Sequence, residues 1–165
     1  MSDLRVFLDI SALIAAVLSR DGGARAVLTQ GEMGLISVWV GRRVLQEADG
    51  VMQRKAPDLR SLLALSLSEA KVQIGPDPGQ TDLILARAAI GYEPDAYVLA
   101  EALAAHADCL ITHDEKHFLR SAYPMPLTCQ IMDPCQFLAF QRARLEQAST
   151  EAKTASERRA RIDLN

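Results

Sequence analysis

Short apolar runs that alternate with stretches of helical periodicity constrain this chain more than any single residue does. Residues 4–8 read as a buried strand, 35–38 as a second, 71–74 as a third, 109–112 as a fourth and 130–132 as a fifth. Helical patterns lie between them, at about 11–18, 24–30, 42–56, 58–67, 81–90 and 94–107. A last helix opens at Pro134 and runs toward Gln147, and Asp58 is placed as the cap of the 58–67 helix. Glycines and prolines punctuate the joins, as at Gly22-Gly23, Pro57 and Gly75-Pro76-Asp77-Pro78-Gly79. Parallel strands need long crossovers, and helices are the usual crossovers. The expectation is therefore an α/β domain over residues 1–140, with a central parallel sheet of about five strands covered on both faces. Residues 141–165 are rich in Ala, Arg, Glu and Lys and poor in large apolar side chains. They read as a charged helical extension or tail.

A chain of 165 residues is long enough to bury one core. Eighteen basic against 21 acidic side chains leave a net charge of −3, which argues against a blanket nucleic-acid binder. A local basic face remains open. The three cysteines are odd in number and form no CxxC pair. They are expected as buried, reduced thiols rather than as a disulfide framework or a zinc site. The apolar run 6–18 is interrupted by Asp9 and Ser11, has no basic lead and is too short for a bilayer. A cytoplasmic protein with no membrane partner is expected.

In open parallel sheets ligands bind beyond the carboxyl ends of the strands, where strand order reverses. Acids at strand ends therefore matter. Asp9 ends the first strand and Asp114 follows the fourth. An acid set between Val6-Phe7-Leu8 and Ala12-Leu13-Ile14 is costly without a cation or donors. It reads either as a helix cap or as a site residue, and the site reading is favoured. Asp95 lies beside the apolar face made by Leu99, Ala102 and Leu103, and so also needs a partner. Taken alone it reads as a first-turn acid satisfied by the helix end. Glu47 borders the stripe Val44, Ala48, Val51 and Met52. Taken alone it reads as a solvated glutamate. Carboxylates that converge repel one another, and a hard divalent cation resolves that repulsion. Such a site suits metal-dependent phosphoryl chemistry.

These segments, in this order, make the chain similar to PIN-domain proteins of the VapC-like (PilT N-terminus-like) toxin type. Val6-Phe7-Leu8-Asp9-Ile10-Ser11 resembles the opening strand with its first acid, and Val44-Leu45-Gln46-Glu47 the helix with the family's Glu. Pro94-Asp95-Ala96-Tyr97 resembles the helix with the next Asp. Cys109-Leu110-Ile111-Thr112-His113-Asp114, closed by His117-Phe118, resembles the strand and turn with the last. The likeness covers about 6–138. It implies a three-layer α/β/α fold and a Mg²⁺- or Mn²⁺-dependent endoribonuclease acting on single-stranded RNA. It also implies a toxin that forms homodimers and is silenced by a cognate antitoxin protein. Asp9, Glu47, Asp95 and Asp114 would be the acidic quartet around the metal, with Ser11 and Thr112 as supporting hydroxyls. Many relatives carry Asn where this chain has Ser11, and a serine can still hydrogen-bond there. His117 is read as a surface histidine with its hydrogen bonds met, not as a ligand. Substrate-holding candidates are Arg42, Arg43, Lys116 and Arg120, with Arg54, Lys55 and Arg87 in the wider set.

Rival readings are weaker. A haloacid-dehalogenase-like phosphatase needs a second acid two residues after the first, where Ser11 stands. A phospho-receiver domain needs a late Lys after a strand, and none follows one. A PIN-fold scaffold that binds RNA or protein without catalysis would have no need to keep repelling acids together.

Overall fold

The computed structural model describes residues 4–119 and 127–162. Five strands, β1 (Arg5–Leu8), β2 (Ser37–Val40), β3 (Gln73–Ile74), β4 (Cys109–Ile111) and β5 (Gln130–Met132), pair in parallel in the order β3-β2-β1-β4-β5. The helices are α1 (Ile10–Leu18), α2 (Gly23–Glu32), α3 (Arg42–Lys55), α4 (Arg60–Glu69), α5 (Gln80–Ala89), α6 (Glu93–Ala104) and α7 (Pro134–Ile162). The fold is a three-layer α/β/α sandwich. Right-handed crossovers put α1 to α4 on one face and α5 with α6 on the other. The packing agrees: α1 touches α2, α3 and α4, α2 touches α7, and α5 lies on α6. Covering both faces explains the sequence of the central strands. Val6, Phe7 and Leu8 of β1 and Leu110 and Ile111 of β4 are fully buried, whereas edge strand β3 is exposed.

Chain order decides where a site can form. The chain steps outward from β1 through β2 to β3, then crosses back to β4 on the other side of β1. Strand order therefore reverses between β1 and β4, whose ends are in register at Leu8 and Ile111. Connecting helices run antiparallel to the strands, so the N-termini of α1, α3 and α6 lie at the same carboxyl edge of the sheet.

Several sequence expectations shift. The second strand starts at Ser37 rather than at 35, because Gly34 turns with φ +70° and Leu35 N–H still bonds the Gln30 carbonyl. Asp58 caps no helix. It sits in a 3₁₀ turn, Pro57–Leu59, and α4 starts only at Arg60. The last helix passes Gln147 and continues to Ile162. Cys109 and Cys129 are buried free thiols, but Cys135, in the first turn of α7, is exposed. Among the described residues no helix is long and apolar enough to cross a membrane.

A buried acid fixes how α3 meets α6. Glu101 is 2% exposed, and its Oε1 accepts the Arg43 backbone N–H at 3.1 Å. It thus caps the N-terminus of a helix that has no cap of its own, since the residue before Arg42 is Gly41. Glycine stands there because a Cβ would overlap the Glu101 carboxylate. Burial raises the Glu101 carboxyl above its ordinary value, against the Arg43 and Arg42 backbone N–H groups that favour the ion.

Gly41→Ala is expected to cost about 1–3 kcal/mol through overpacking, read from urea unfolding. A raised carboxyl means that the folded state holds its proton longer than the unfolded chain does. The contribution of Glu101 to stability is then greatest below its unfolded value and is lost as pH rises through the folded one. Glu101→Gln should match wild type near pH 4 and gain relative stability toward pH 7, checked by unfolding across that range.

Candidate metal centre

Asp9 is the first residue past β1, and its N–H still bonds the Ile111 carbonyl at 3.1 Å. Its side chain caps α1: Oδ1 accepts the Ala12 N–H at 2.8 Å and the Ser11 hydroxyl at 2.7 Å. Oδ2 accepts the Thr112 hydroxyl at 2.5 Å. Ser11 Oγ accepts the His113 N–H at 2.8 Å, and Thr112 Oγ1 accepts the Asp114 N–H at 2.9 Å. Amides can only donate, so each hydroxyl accepts from the turn and keeps a proton for Asp9, with the other hydroxyl 3.4 Å away as a second acceptor. The result ties the end of β1 to the turn after β4. Asp9 is 4% exposed, and burial raises its carboxyl despite the bonds from Thr112, Ala12 and Ser11.

Asp114 organises the next turn. Its Oδ1 accepts the backbone N–H groups of Lys116 at 2.9 Å and His117 at 3.0 Å. Its carbonyl accepts from Phe118 and Leu119, the latter closing one wide π-type turn over Glu115–Leu119. Phe118, 2% exposed, anchors that turn in the core. Burial alone would raise the Asp114 carboxyl. The His117 backbone N–H and ring, with the Lys116 N–H, outweigh it and hold the group below its ordinary value.

Asp95 enters from the first turn of α6. Its Oδ2 lies 3.0 Å from His117 Nδ1, which is also 3.0 Å from Asp114 Oδ2. The ring nitrogen is aligned for a hydrogen bond with Asp114, whereas Asp95 Oδ2 is a buried oxygen without one. Burial raises the Asp95 carboxyl. The charges of Asp114, Asp9 and Glu47 push it further, against the pull of His117. Glu47, exposed on α3, thus acts on Asp95 through space. The structure brings the Asp95 and Asp114 carboxylates together, ties Asp9 to the Asp114 turn through Ser11 and Thr112, and leaves Asp9 and Glu47 outside the group of meeting ligand atoms.

His117 has the satisfied hydrogen bond expected of it, to Asp114, and lies partly exposed beside two acids. Its ligand atom and those of Asp95 and Asp114 all lie within 4.8 Å of one another. The sequence signal was its spacing, three residues after Asp114, where one wide turn returns the ring to the carboxylate. The basic candidates scatter. Lys116 is exposed beside Asp114. Arg42 pairs with Asp77 at 3.5 Å, and the Arg43 guanidinium sits 5.2 Å from the centre of the Tyr97 ring. Arg87 is held by Glu93 at 2.6 Å. Arg54 and Lys55 end α3, about 20 Å along the helix from Arg42 at 1.5 Å per residue. Arg120 falls outside the described residues.

This donor set fits a divalent cation. The Asp95 and Asp114 carboxylates converge with the His117 ring, burial and the neighbouring acids raise Asp95, and its buried Oδ2 has no hydrogen bond. The family model of the PIN domain matches residues 5–116. The chain belongs to the PIN-domain family. Two solved structures share this PIN fold. VapBC2 from Rickettsia felis, bound to a DNA fragment from their promoter, is 16% identical with a TM-score of 0.58. That match covers 79% of this chain and 98% of the other. PAE2754 from Pyrobaculum aerophilum is 19% identical with a TM-score of 0.56, over 85% and 90% of the two chains. No curated protein matches the chain.

Thr112 is fully buried, so Thr112→Val leaves Asp9 Oδ2 and the Asp114 N–H without partners in a dry place. Denaturant melts should show a loss of about 1–3 kcal/mol, while Thr112→Ser, which keeps the hydroxyl, should lose less.

Proposed function

We propose that this PIN-domain protein is a Mg²⁺- or Mn²⁺-dependent endoribonuclease that hydrolyses phosphodiester bonds in single-stranded RNA. The observation that carries this reading is the meeting of the Asp95 and Asp114 carboxylates with the His117 ring at the reversal of strand order, on a turn that Thr112 ties to the buried Asp9. Membership of a family whose members are generally nucleases supports it.

Asp9, Glu47, Asp95 and Asp114 would hold the cation. The chemistry that such an ion supplies is a water of lowered pKa and charge compensation at the phosphate. Ser11 and Thr112 fix the direction of both Asp9 oxygens, so that the carboxylate needs little reorganisation. Lys116 stands beside Asp114, and Arg42 and Arg43 start α3 at the same edge. These three, with Arg120, are the groups that would meet backbone phosphates. Hydrolysis of this kind needs no 2′-hydroxyl, so the preference for RNA follows from the family resemblance.

The protein is further proposed to be the toxin of a toxin–antitoxin pair, acting in the cytoplasm as a homodimer and silenced by its antitoxin. The fold shared with VapBC2, solved on a DNA fragment from their promoter, supports this.

The test is cleavage of mixed cellular RNA by antitoxin-free protein with Mn²⁺, beside EDTA and Asp9→Asn. Asparagine caps a helix as well as aspartate does, so the variant keeps α1. Cleavage should vanish with EDTA and fall by about a hundredfold or more in the variant. Cleavage that survives both controls would refute the site. Equal cutting of single-stranded DNA would refute the RNA preference. Intact RNA throughout would leave the scaffold reading.

A further inference from the structure

We propose that His117 is itself a ligand of the cation, and that its imidazole tilts the site from Mg²⁺ toward first-row transition ions. The inference rests on the metal-dependent reading above. Its ground is the geometry of three atoms on two different elements: Asp95 Oδ2 from α6, and Asp114 Oδ2 and His117 Nδ1 from the wide turn after β4. Nδ1 is 3.0 Å from each oxygen. Neighbouring ligands of an octahedral ion with bonds near 2.1 Å lie about 3.0 Å apart, the bond length times √2.

A hydrogen bond explains half of this arrangement. One N–H on Nδ1 serves Asp114, and Asp95 Oδ2 is left buried without a hydrogen bond. A cation at the meeting point of the three atoms serves both carboxylates at once. The ring is already held for it. The His117 backbone N–H bonds Asp114 Oδ1 at 3.0 Å. Tyr92 stacks on the ring at 4.9 Å between centroids, with the planes 19° apart. Nδ1 faces the acids, so a coordinating neutral ring carries its hydrogen on Nε2.

A nitrogen in the donor set changes which ion is preferred. Mg²⁺ favours carboxylate and water oxygens, whereas imidazole suits iron, nickel and zinc, and affinity rises from Mn²⁺ through Co²⁺ along the first row. With an imidazole beside the Asp95 and Asp114 carboxylates, this centre should discriminate against Mg²⁺ more than an all-oxygen site does.

The experiment is pulsed EPR on the metal-stripped full chain reloaded with Mn²⁺, with calorimetric titrations of Mg²⁺ and Co²⁺ alongside. Wild type, His117→Gln and His117→Asp are compared, with circular dichroism to confirm folding. The expected result is imidazole ¹⁴N modulation in wild type, lost in both variants while Mn²⁺ still binds. The preference for Co²⁺ over Mg²⁺ should fall on the order of tenfold in His117→Asp. Mn²⁺ bound without nitrogen modulation in wild type would overturn the inference and leave the metal centre standing. That measurement needs no variant to fold. Modulation that persists in His117→Gln would assign the nitrogen to another histidine and overturn it too. Failure of wild type to bind any of the three ions would overturn the metal centre itself, and this inference with it.

Discussion

The Asp9 carboxylate is the constraint on which the rest of the site depends. It is polar, nearly buried, and set at the end of an apolar strand. Such a group persists only where donors replace water. Ser11 and Ala12 are local donors, supplied by the first turn of α1. Thr112 is not local: it reaches Asp9 because β1 pairs with β4 in the register that sets Leu8 against Ile111. A slip by one residue would turn the Thr112 side chain to the other face of the sheet. Satisfying one acid therefore ties together a helix start, a strand register and the turn that carries Asp114.

A second buried carboxylate does comparable work away from the cluster. Glu101 fills the N-terminus of α3, the end of a helix that would otherwise attract an anion. That contact sets α3, and with it Glu47, against α6, which carries Asp95. The two acids thus divide the labour: Asp9 joins the strands, and Glu101 joins the helices above them.

The cluster is electrostatically uneven. Asp114 lies below its ordinary value because amide N–H groups and the His117 ring favour its charge, whereas Asp95 is raised by burial and by its acidic neighbours. Carboxylates in one place are thereby separated into a well-satisfied group and an under-satisfied one. The under-satisfied oxygen, Asp95 Oδ2, is the one left without a hydrogen bond. A cation would relieve it, and the His117 ring lies against it.

The strands and helices and their alternation are legible in the sequence, because burial on both faces leaves continuous apolar runs such as Val6-Phe7-Leu8 and Cys109-Leu110-Ile111. The sequence also singled out Asp9, a carboxylate between apolar neighbours, whereas Asp95 and Glu47 read alone as ordinary helix acids and joined the set through the family resemblance. It misplaced the start of β2 and the role of Asp58, where a glycine turn and a 3₁₀ turn replaced the regular element that periodicity suggested. How the acids meet is written in no single segment. Asp95 and Asp114 are 19 residues apart in the chain, and the meeting of α6 with the turn after β4 is a property of the crossover, not of either segment. The same holds for His117 and Glu101. One looked like a surface histidine and the other had no visible task. Each takes its place from partners supplied by a different part of the fold.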